Sequence, residues 1–319
     1  MIEALGSAPR LQALADPQPA RSEARIRVVS AGLNFADLLM LAGSYQVRPS
    51  LPFIPGMEFS GIVEALGPDT EGPPPGTRVL GICGTGALAE KLCIAVDRLS
   101  PLPDTLGFDE AAGFPIAYGT AHLALTAKAR LQPCETLFVT GAAGGVGLTA
   151  VEIGKRLGAR VIASARGKDR LAVAKASGAD HLIDSDAPGL KDTLRGLGGV
   201  DVVFDAVGGP AFDDCLRACK PDGRLLAIGF ASGQVPQVPA NLLLVKNLTV
   251  SGFWYGGYQD HAPQAVASSM AELLRWQAEG SLHPHVGQVL PFDAFPEGLE
   301  LLRTRRATGK VVIRVGQLP

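Results

Sequence analysis

Residues 137–170 read LFVTGAAGGVGLTAVEIGKRLGARVIASARGKDR. The stretch begins as a short strand-like run, passes through a turn packed with glycine, and continues with apolar residues at helical spacing. A second strand-like run then ends in Arg166, Lys168 and Arg170. Strand, glycine turn, helix and strand make a βαβ unit, whose right-handed crossover leaves the two strands parallel. Within the turn, the pattern A-x-G-x-x-G falls on Ala142, Gly144 and Gly147, a dinucleotide fingerprint with alanine in first position. Glycine at 144 and 145 removes the Cβ that would keep a pyrophosphate away from the backbone. The N–H groups of Ala143, Gly144, Gly145 and Val146 then open a helix whose positive dipole end favours phosphate. A tight turn without a ligand is the competing reading. The strand before, the helix after and further βαβ units downstream weigh against it.

The end of the second strand bears on which nucleotide. An NAD-selective site places Asp or Glu about 20 residues beyond the glycines, on the ribose 2′-OH. That place holds Ser164, Ala165 and Arg166, and the first carboxylate is Asp169, at the start of the next helix. Arg166 and Lys168, with Ser164 as a hydroxyl donor, suit a 2′-phosphate through charge-assisted hydrogen bonds. A solvated basic loop is the bland alternative. NADPH is the expected cofactor.

Working outward, strand–helix alternation runs from about 115 to 253. Strands are expected at 136–140, 160–164, 181–184, 200–205, 223–229 and 248–253, with helices at 145–157, 169–177 and 210–219 among the connections. That rhythm specifies a doubly wound parallel sheet covered on both faces. Upstream, ARIRVVSAGL, FSGIVEALG, TRVLGIC and LAEKLCIAV are short strands separated by Gly and Pro clusters. They predict a partly closed β-barrel or sandwich. FADLLMLAG (35–43) is its one clear helix, with Gly43 as the stop. After Pro263 come a helix, VGQVLPF, a short helix and KVVIRV, which return to complete the first domain. The expected domains are 1–115 with 255–319, and 116–254 inserted between them.

The bulk composition fits an α/β protein of two domains. The chain has 319 residues, 19% of them charged, with a net charge of −2, so nothing favours nucleic acid or an anionic membrane as partner. Five cysteines (Cys83, Cys93, Cys134, Cys215 and Cys219) lack C-x-x-C spacing. They read as free thiols in a reducing compartment. No basic segment followed by an apolar one opens the chain, and the longest apolar stretch is broken by glycines and Glu152. A cytoplasmic protein without signal peptide or membrane span is expected. The five histidines lack metal or triad spacing, and no G-x-S-x-G elbow is present.

The motifs AGLNFADLLMLAGSY (31–45), LPFIPGMEFSGIVEALG (51–67), AYGTAHLAL (117–125), VTGAAGGVG (139–147), FDAVGG (204–209) and TGKVVIRV (308–315) together resemble the medium-chain dehydrogenase/reductase superfamily. The resemblance is to its zinc-free quinone oxidoreductase (zeta-crystallin-like) branch, and it covers nearly the whole chain. It implies a doubly wound Rossmann domain inserted into a GroES-like β-rich catalytic domain. It also implies hydride transfer from NADPH to a quinone acceptor. Reduction of α,β-unsaturated carbonyls or enoyl thioesters is the alternative, and a nucleotide-binding protein with little catalysis the second. The zinc-dependent cousins carry Cys in the segment that here reads NFAD, and Gly-His-Glu where this chain has Gly56-Met57-Glu58. Asn34 and Met57 are poor substitutes for thiolate and imidazole, so no metal is expected.

Residue by residue, the resemblance puts Asn34 and Tyr45 beside the nicotinamide as the catalytic candidates. Asn34 bonds the cofactor or an acceptor carbonyl. Tyr45 offers a phenol and an aromatic face, unless it is only a half-buried loop aromatic. Asp37, at i,i+3 from Asn34, is either a partner or a helix-start charge. Tyr118 matches a cofactor-contacting tyrosine, against core packing. Phe230 and Phe253 follow the fifth and sixth strands, with Phe253 nearer the nicotinamide and Trp254 as pocket wall or dimer contact. Lys310, in the closing Gly-Lys pair, is a cofactor contact or a solvated turn residue. The last Rossmann strand, NLTVSGF, is expected to be an edge that pairs with a two-fold mate in a homodimer.

Overall fold

The computed structural model describes residues 1–7 and 9–317. Its strands are β1 (Glu23–Leu33), β2 (Glu58–Leu66), β3 (Arg78–Ile82), β4 (Lys91–Ala95), β5 (Leu99–Pro101), β6 (Thr136–Val139), β7 (Arg160–Ala165), β8 (His181–Asp184), β9 (Val200–Asp205), β10 (Cys219–Ala227), β11 (Thr249–Gly252), β12 (Val286–Pro291) and β13 (Lys310–Arg314). The α-helices are α1 (Phe35–Leu41), α2 (Phe108–Ala112), α3 (Pro115–Leu123), α4 (Gly145–Arg156), α5 (Gly167–Ala176), α6 (Leu190–Gly196), α7 (Pro210–Ala218), α8 (Ala240–Lys246), α9 (Tyr255–His261), α10 (Pro263–Ala278) and α11 (Phe295–Arg303).

The chain divides into two compact units. One comprises Met1–Ile116, Met270–Gly280 and Pro284–Pro319, and the other Ala117–Ser269 with Ser281–His283. The first unit is therefore discontinuous. Residues 255–269 fall with the nucleotide unit, whereas from sequence they are expected in the β-rich one, because α10 runs through the boundary without a break.

In the nucleotide unit the six strands lie in the order β11-β10-β9-β6-β7-β8. All neighbours are parallel. The order reverses between β6 and β9, which sets the switch point where open α/β sheets bind ligands. β6 is buried at every position and β7 at all but the first, as a sheet covered on both faces requires. Phe138, Ile162, Val203, Phe212, Leu216 and Leu225 fill one side of it. β11 is the outer edge and is largely unburied.

The β-rich unit is built on a seven-stranded sheet ordered β12-β13-β1-β2-β3-β5, with β4 also on β1. Its pairs are antiparallel except β12–β13. A barrel or a sandwich is expected from the sequence, and the pairing runs through one continuous sheet and not two separate ones. β1 is long enough to pair with β2 on one side and with both β4 and β13 on the other. Register shifts at Arg25/Ile26 and Val28/Ser30 bend it, the usual effect of bulges. This β1–β13 pairing brings the closing strand beside Leu33 and so fixes the position of Lys310.

Candidate active site

Each unit carries one cluster that includes residues the sequence singles out. In the nucleotide unit, β6 ends at Val139 and the chain turns through Gly141, whose φ of +60° is left-handed. Gly144 is the N-cap of α4, in extended backbone, and no side chain caps the helix. The first N–H groups of α4 therefore lack internal partners, which is the donor set a phosphate needs. A Cβ at Gly144 would meet only the Gly141 carbonyl, at 3.4 Å. A Cβ at Gly147 would lie 2.2 Å from the same oxygen. The two glycines thus differ in role: Gly147 lets the helix sit on the turn, while Gly144 leaves the cradle open. Ala143 is buried, and Gly144, Gly145 and Val146 are half-buried.

At the carboxyl end of β7, Arg166 and Lys168 are exposed. The Arg166 Nε lies 3.2 Å from Asp186, with both side chains open to solvent at 57% and 63%. Such a solvent-exposed pair contributes little to stability. Ser164 is a buried strand residue at 4% exposure, and its carbonyl takes the Ala142 N–H at 2.9 Å. Across the switch point, Thr140 donates to Asp205, which also receives the N–H groups of Val207 and Gly208 at 3.1 Å. That carboxylate pins the loop after β9.

The aromatics divide by burial. Tyr118 is 3% exposed and gives its hydroxyl to Glu152 at 2.5 Å, while Glu152 also receives the His283 N–H at 2.5 Å. Burial, then the Glu152 charge, push the Tyr118 phenol well above its usual range. Burial also raises the Glu152 carboxyl. Phe253 is 5% exposed and meets Tyr258 in a tilted contact, with ring centroids 4.9 Å apart. Phe230 and Trp254 are exposed at about 40%.

The second cluster lies wholly in the β-rich unit. Asn34 caps α1 and is 8% exposed. Its Nδ2 donates to Glu58 Oε1 at 2.8 Å, and its Oδ1 accepts from Lys310 Nζ at 2.8 Å. Lys310 also donates to the Leu33 carbonyl at 2.8 Å and to Glu58 Oε1 at 2.7 Å. It is buried, which corrects the solvated-turn alternative: β13 lies against β1, and the side chain turns inward to a carboxylate that neutralises it. Asp37 is 1% exposed, and its Oδ2 accepts the Asn34 backbone N–H at 2.8 Å. Burial pushes its carboxyl up to about 7, against the pull of that N–H and of Lys310. Tyr45 is half-buried beside Ile2, Met40, Phe53 and Met57. Glu58, seen in the sequence only as the neighbour of Met57, is the member that pattern reading misses. A glutamate at 0% exposure in an otherwise apolar strand start is legible only once its cation is known.

All five cysteines are free. Burial pushes the Cys219 thiol up to about 12 and Cys215 well above its usual value, so both are inert. Among the described residues, no group of three His, Cys, Asp or Glu side chains is arranged to hold a metal ion. No helix among them is long and apolar enough to cross a membrane.

A glycine turn at an uncapped helix N-terminus, at the switch point of a doubly wound parallel sheet, is the geometry of a dinucleotide-binding α/β protein. Residues 145–272 match the zinc-binding dehydrogenase family, and 20–104 the alcohol dehydrogenase GroES-like domain. The chain is 39% identical to the quinone oxidoreductase-like protein 2 homolog of Nematostella vectensis over 302 residues, 93% of this chain and 82% of that relative. Among solved structures, the quinone oxidoreductase of Thermus thermophilus, described also in complex with NADPH, is 34% identical. It covers 98% of both chains with a TM-score of 0.87. The Escherichia coli quinone oxidoreductase complexed with NADPH is 27% identical, covers 95% of this chain and 94% of its own, and has a TM-score of 0.87. The chain belongs to the medium-chain dehydrogenase/reductase superfamily, in its zinc-free quinone oxidoreductase branch.

Proposed function

We propose that the protein binds NADPH and transfers its hydride to a quinone without zinc. The observation that carries the cofactor is the end of β7, where two exposed cations stand in place of the carboxylate that would select NAD. The NADPH complexes of the Thermus thermophilus and Escherichia coli enzymes support the same reading. The donor set does not fit zinc: an amide and a thioether, Asn34 and Met57, stand where the metal-binding cousins have thiolate and imidazole. Without a Lewis acid, an electron-poor acceptor is the reasonable substrate, because it needs only a positioned hydride and a proton.

Bound NADPH supplies the hydride. The α4 N-terminus holds the pyrophosphate, and Arg166 and Lys168 hold the 2′-phosphate. Asn34 orients the nicotinamide or the acceptor carbonyl, while Tyr45 stacks on a planar acceptor and donates a hydrogen bond to its oxygen. Titration should favour NADPH over NADH by about tenfold or more. Arg166→Ala with Lys168→Ala should remove that margin. Equal affinities in the wild-type protein would sink the assignment. Turnover of enals but not of quinones, in parallel panels, would move the acceptor to the conjugated carbonyls.

Tyr45→Phe keeps the ring and removes the hydroxyl. Water can supply the proton to an acceptor this electron-poor, so the expected loss in kcat is about tenfold, well below that of a tightly built oxyanion site. An unchanged kcat with every quinone would leave Tyr45 as a wall only.

The homodimer rests on the outer edge of the nucleotide sheet. β11 is an open edge, and α8, just before it, has no buried residue and exposes Leu244 and Val245 by 79% and 72%. Apolar surface beside an unpaired strand calls for a covering partner. Sedimentation should give twice the chain mass, and a monomer at micromolar concentration would refute the pairing.

A further inference from the structure

We propose that Lys310 and Glu58 are positioning residues that set which way round the Asn34 carboxamide faces, and that they act on a bound nicotinamide only through it. The inference rests on the reading that Asn34 meets the cofactor or acceptor. It adds what makes that contact directional.

A carboxamide is nearly symmetric in shape and antisymmetric in hydrogen bonding: one end donates and the other accepts. In this cluster the choice is made by charge. Glu58 Oε1, which only accepts, lies 2.8 Å from Asn34 Nδ2, and Lys310 Nζ, which only donates, lies 2.8 Å from Oδ1. Turning the amide over would set the NH2 against the ammonium and the carbonyl against the carboxylate, losing both bonds and adding two repulsions. The third side of the triangle is the ion pair itself, 2.7 Å long, between side chains exposed by 9% and 0%.

The three ammonium protons of Lys310 go to the Leu33 carbonyl, Asn34 Oδ1 and Glu58 Oε1. None remains for a ligand, which turns the expected cofactor contact of Lys310 into an indirect one. Glu58 Oε2 accepts the Ile116 N–H at 2.8 Å, and at 0% exposure the glutamate presents no face to a ligand. Asn34, at 8% exposure, keeps a second Nδ2 proton whose other neighbour is the Gly32 carbonyl at a long 3.5 Å. Two glycines make room for the arrangement. A Cβ at Gly32 would lie 2.9 Å from Glu58 Oε1, and one at Gly113 would lie 2.9 Å from the Lys310 Cβ. A buried ion pair adds little net stability compared with apolar side chains. Fixing the polarity of a ligand-facing amide is a use that offsets its cost.

The test compares Asn34→Ala, the paired change Glu58→Gln with Lys310→Met, and all three together. The paired change leaves no charge of its own in the cluster. Its new glutamine must keep a carbonyl oxygen toward Ile116 N–H, so its NH2 faces Asn34 and favours the reversed amide. NADPH should bind about tenfold more weakly to Asn34→Ala, the loss of one well-made hydrogen bond. The paired variant should lose as much, and the triple variant no more than either, since residues acting through one another are not additive. An adenosine bisphosphate fragment lacking the nicotinamide should bind all four proteins alike, a result that general damage to the fold would not give. If Asn34→Ala weakens NADPH but the paired variant does not, this proposal falls and the reading of Asn34 stands. If the triple loss is the product of the other two, Lys310 or Glu58 meets the ligand directly and the proposal is again overturned. If Asn34→Ala loses nothing, this proposal falls together with the nicotinamide contact of Asn34, and only the acceptor contact is left to that residue. Should the paired variant not fold, the Asn34 side-chain amide protons in the wild-type protein decide by NMR. Protected, unequal signals support the clamp, and rapidly exchanging ones overturn it.

Discussion

Gly147→Ala should destabilise the protein by about 3 kcal/mol and weaken NADPH binding by roughly a hundredfold or more. The added Cβ would sit 2.2 Å from the Gly141 oxygen, 2.8 Å from its carbon and 2.9 Å from the Ala142 Cα. All three are backbone atoms, so no rotamer relieves the contact. Either α4 lifts from the turn or the turn moves, and in both cases the N–H groups of Gly145 and Val146 at the helix start are displaced, along with the Gly144 N–H that the Gly141 carbonyl holds at 2.9 Å. Gly144→Ala is the matched comparison. Its φ of −83° is open to any residue and its Cβ would meet one atom at 3.4 Å. Stability should therefore stay within about 1 kcal/mol, the range of an N-cap change. Affinity should still fall, because the methyl group occupies space through which the pyrophosphate approaches. Urea unfolding and cofactor titration on the two variants separate packing from binding. Equal unfolding midpoints for Gly147→Ala and the wild type would show that the turn is softer than its geometry implies. Unchanged affinity in Gly144→Ala would remove the phosphate from this turn.

What could be read from sequence follows the range of the interactions concerned. β6, β7, β8 and β9 fall within a residue of their expected positions, because each is a short, mainly apolar run bounded by glycine, turn or charged residues, and such signals are local. β10 begins earlier than expected, at Cys219. Its first residues, Lys-Pro-Asp-Gly, carry turn chemistry, and only the pairing of Cys219 with Val200 holds them in the sheet. The three-residue β5 leaves no periodic trace. The nucleotide turn is legible for the same reason as its strands: the glycines, the helix and the basic residues lie within one βαβ unit. The buried cluster is not. Asn34, Glu58 and Lys310 are brought together by β1–β2 and β1–β13 pairing, and nothing near Lys310 in sequence signals the carboxylate it finds. Tyr118 shows the converse. Its motif points to the cofactor, while its hydroxyl is held by Glu152, a helix residue that reads as an interruption in an apolar face.

Asp37 gives the other large effect, and it is one of pH. The residue holds the N-terminus of α1 by accepting the Asn34 N–H, while its Oδ1 has no hydrogen-bond partner and is buried. Desolvation is the main reason its carboxyl is raised from 3.8 to about 7, and the nearby Glu58 charge adds to it. The unfolded chain releases this proton near pH 4, and the folded protein keeps it to about pH 7. Between those limits the native state binds more protons than the unfolded one. Asp37 therefore contributes stability in full below about pH 4, and loses it progressively as the pH rises to about 7. The loss attributable to this one group is roughly 3 kcal/mol between about pH 5 and pH 8, at about 1.4 kcal/mol for each unit. Asp37→Asn cannot ionise and keeps an oxygen for the Asn34 N–H. Its unfolding free energy, measured in urea across that range, should decline less than that of the wild type by about the same amount. Parallel curves would show that Asp37 is ionised throughout. The Lys310 ammonium would then be facing two carboxylates, Glu58 and Asp37, at every pH in the range. A steeper decline in the wild type than in Asp37→Asn would mean that Asp37 is protonated near pH 6 and adds a negative charge beside Asn34 only as it ionises.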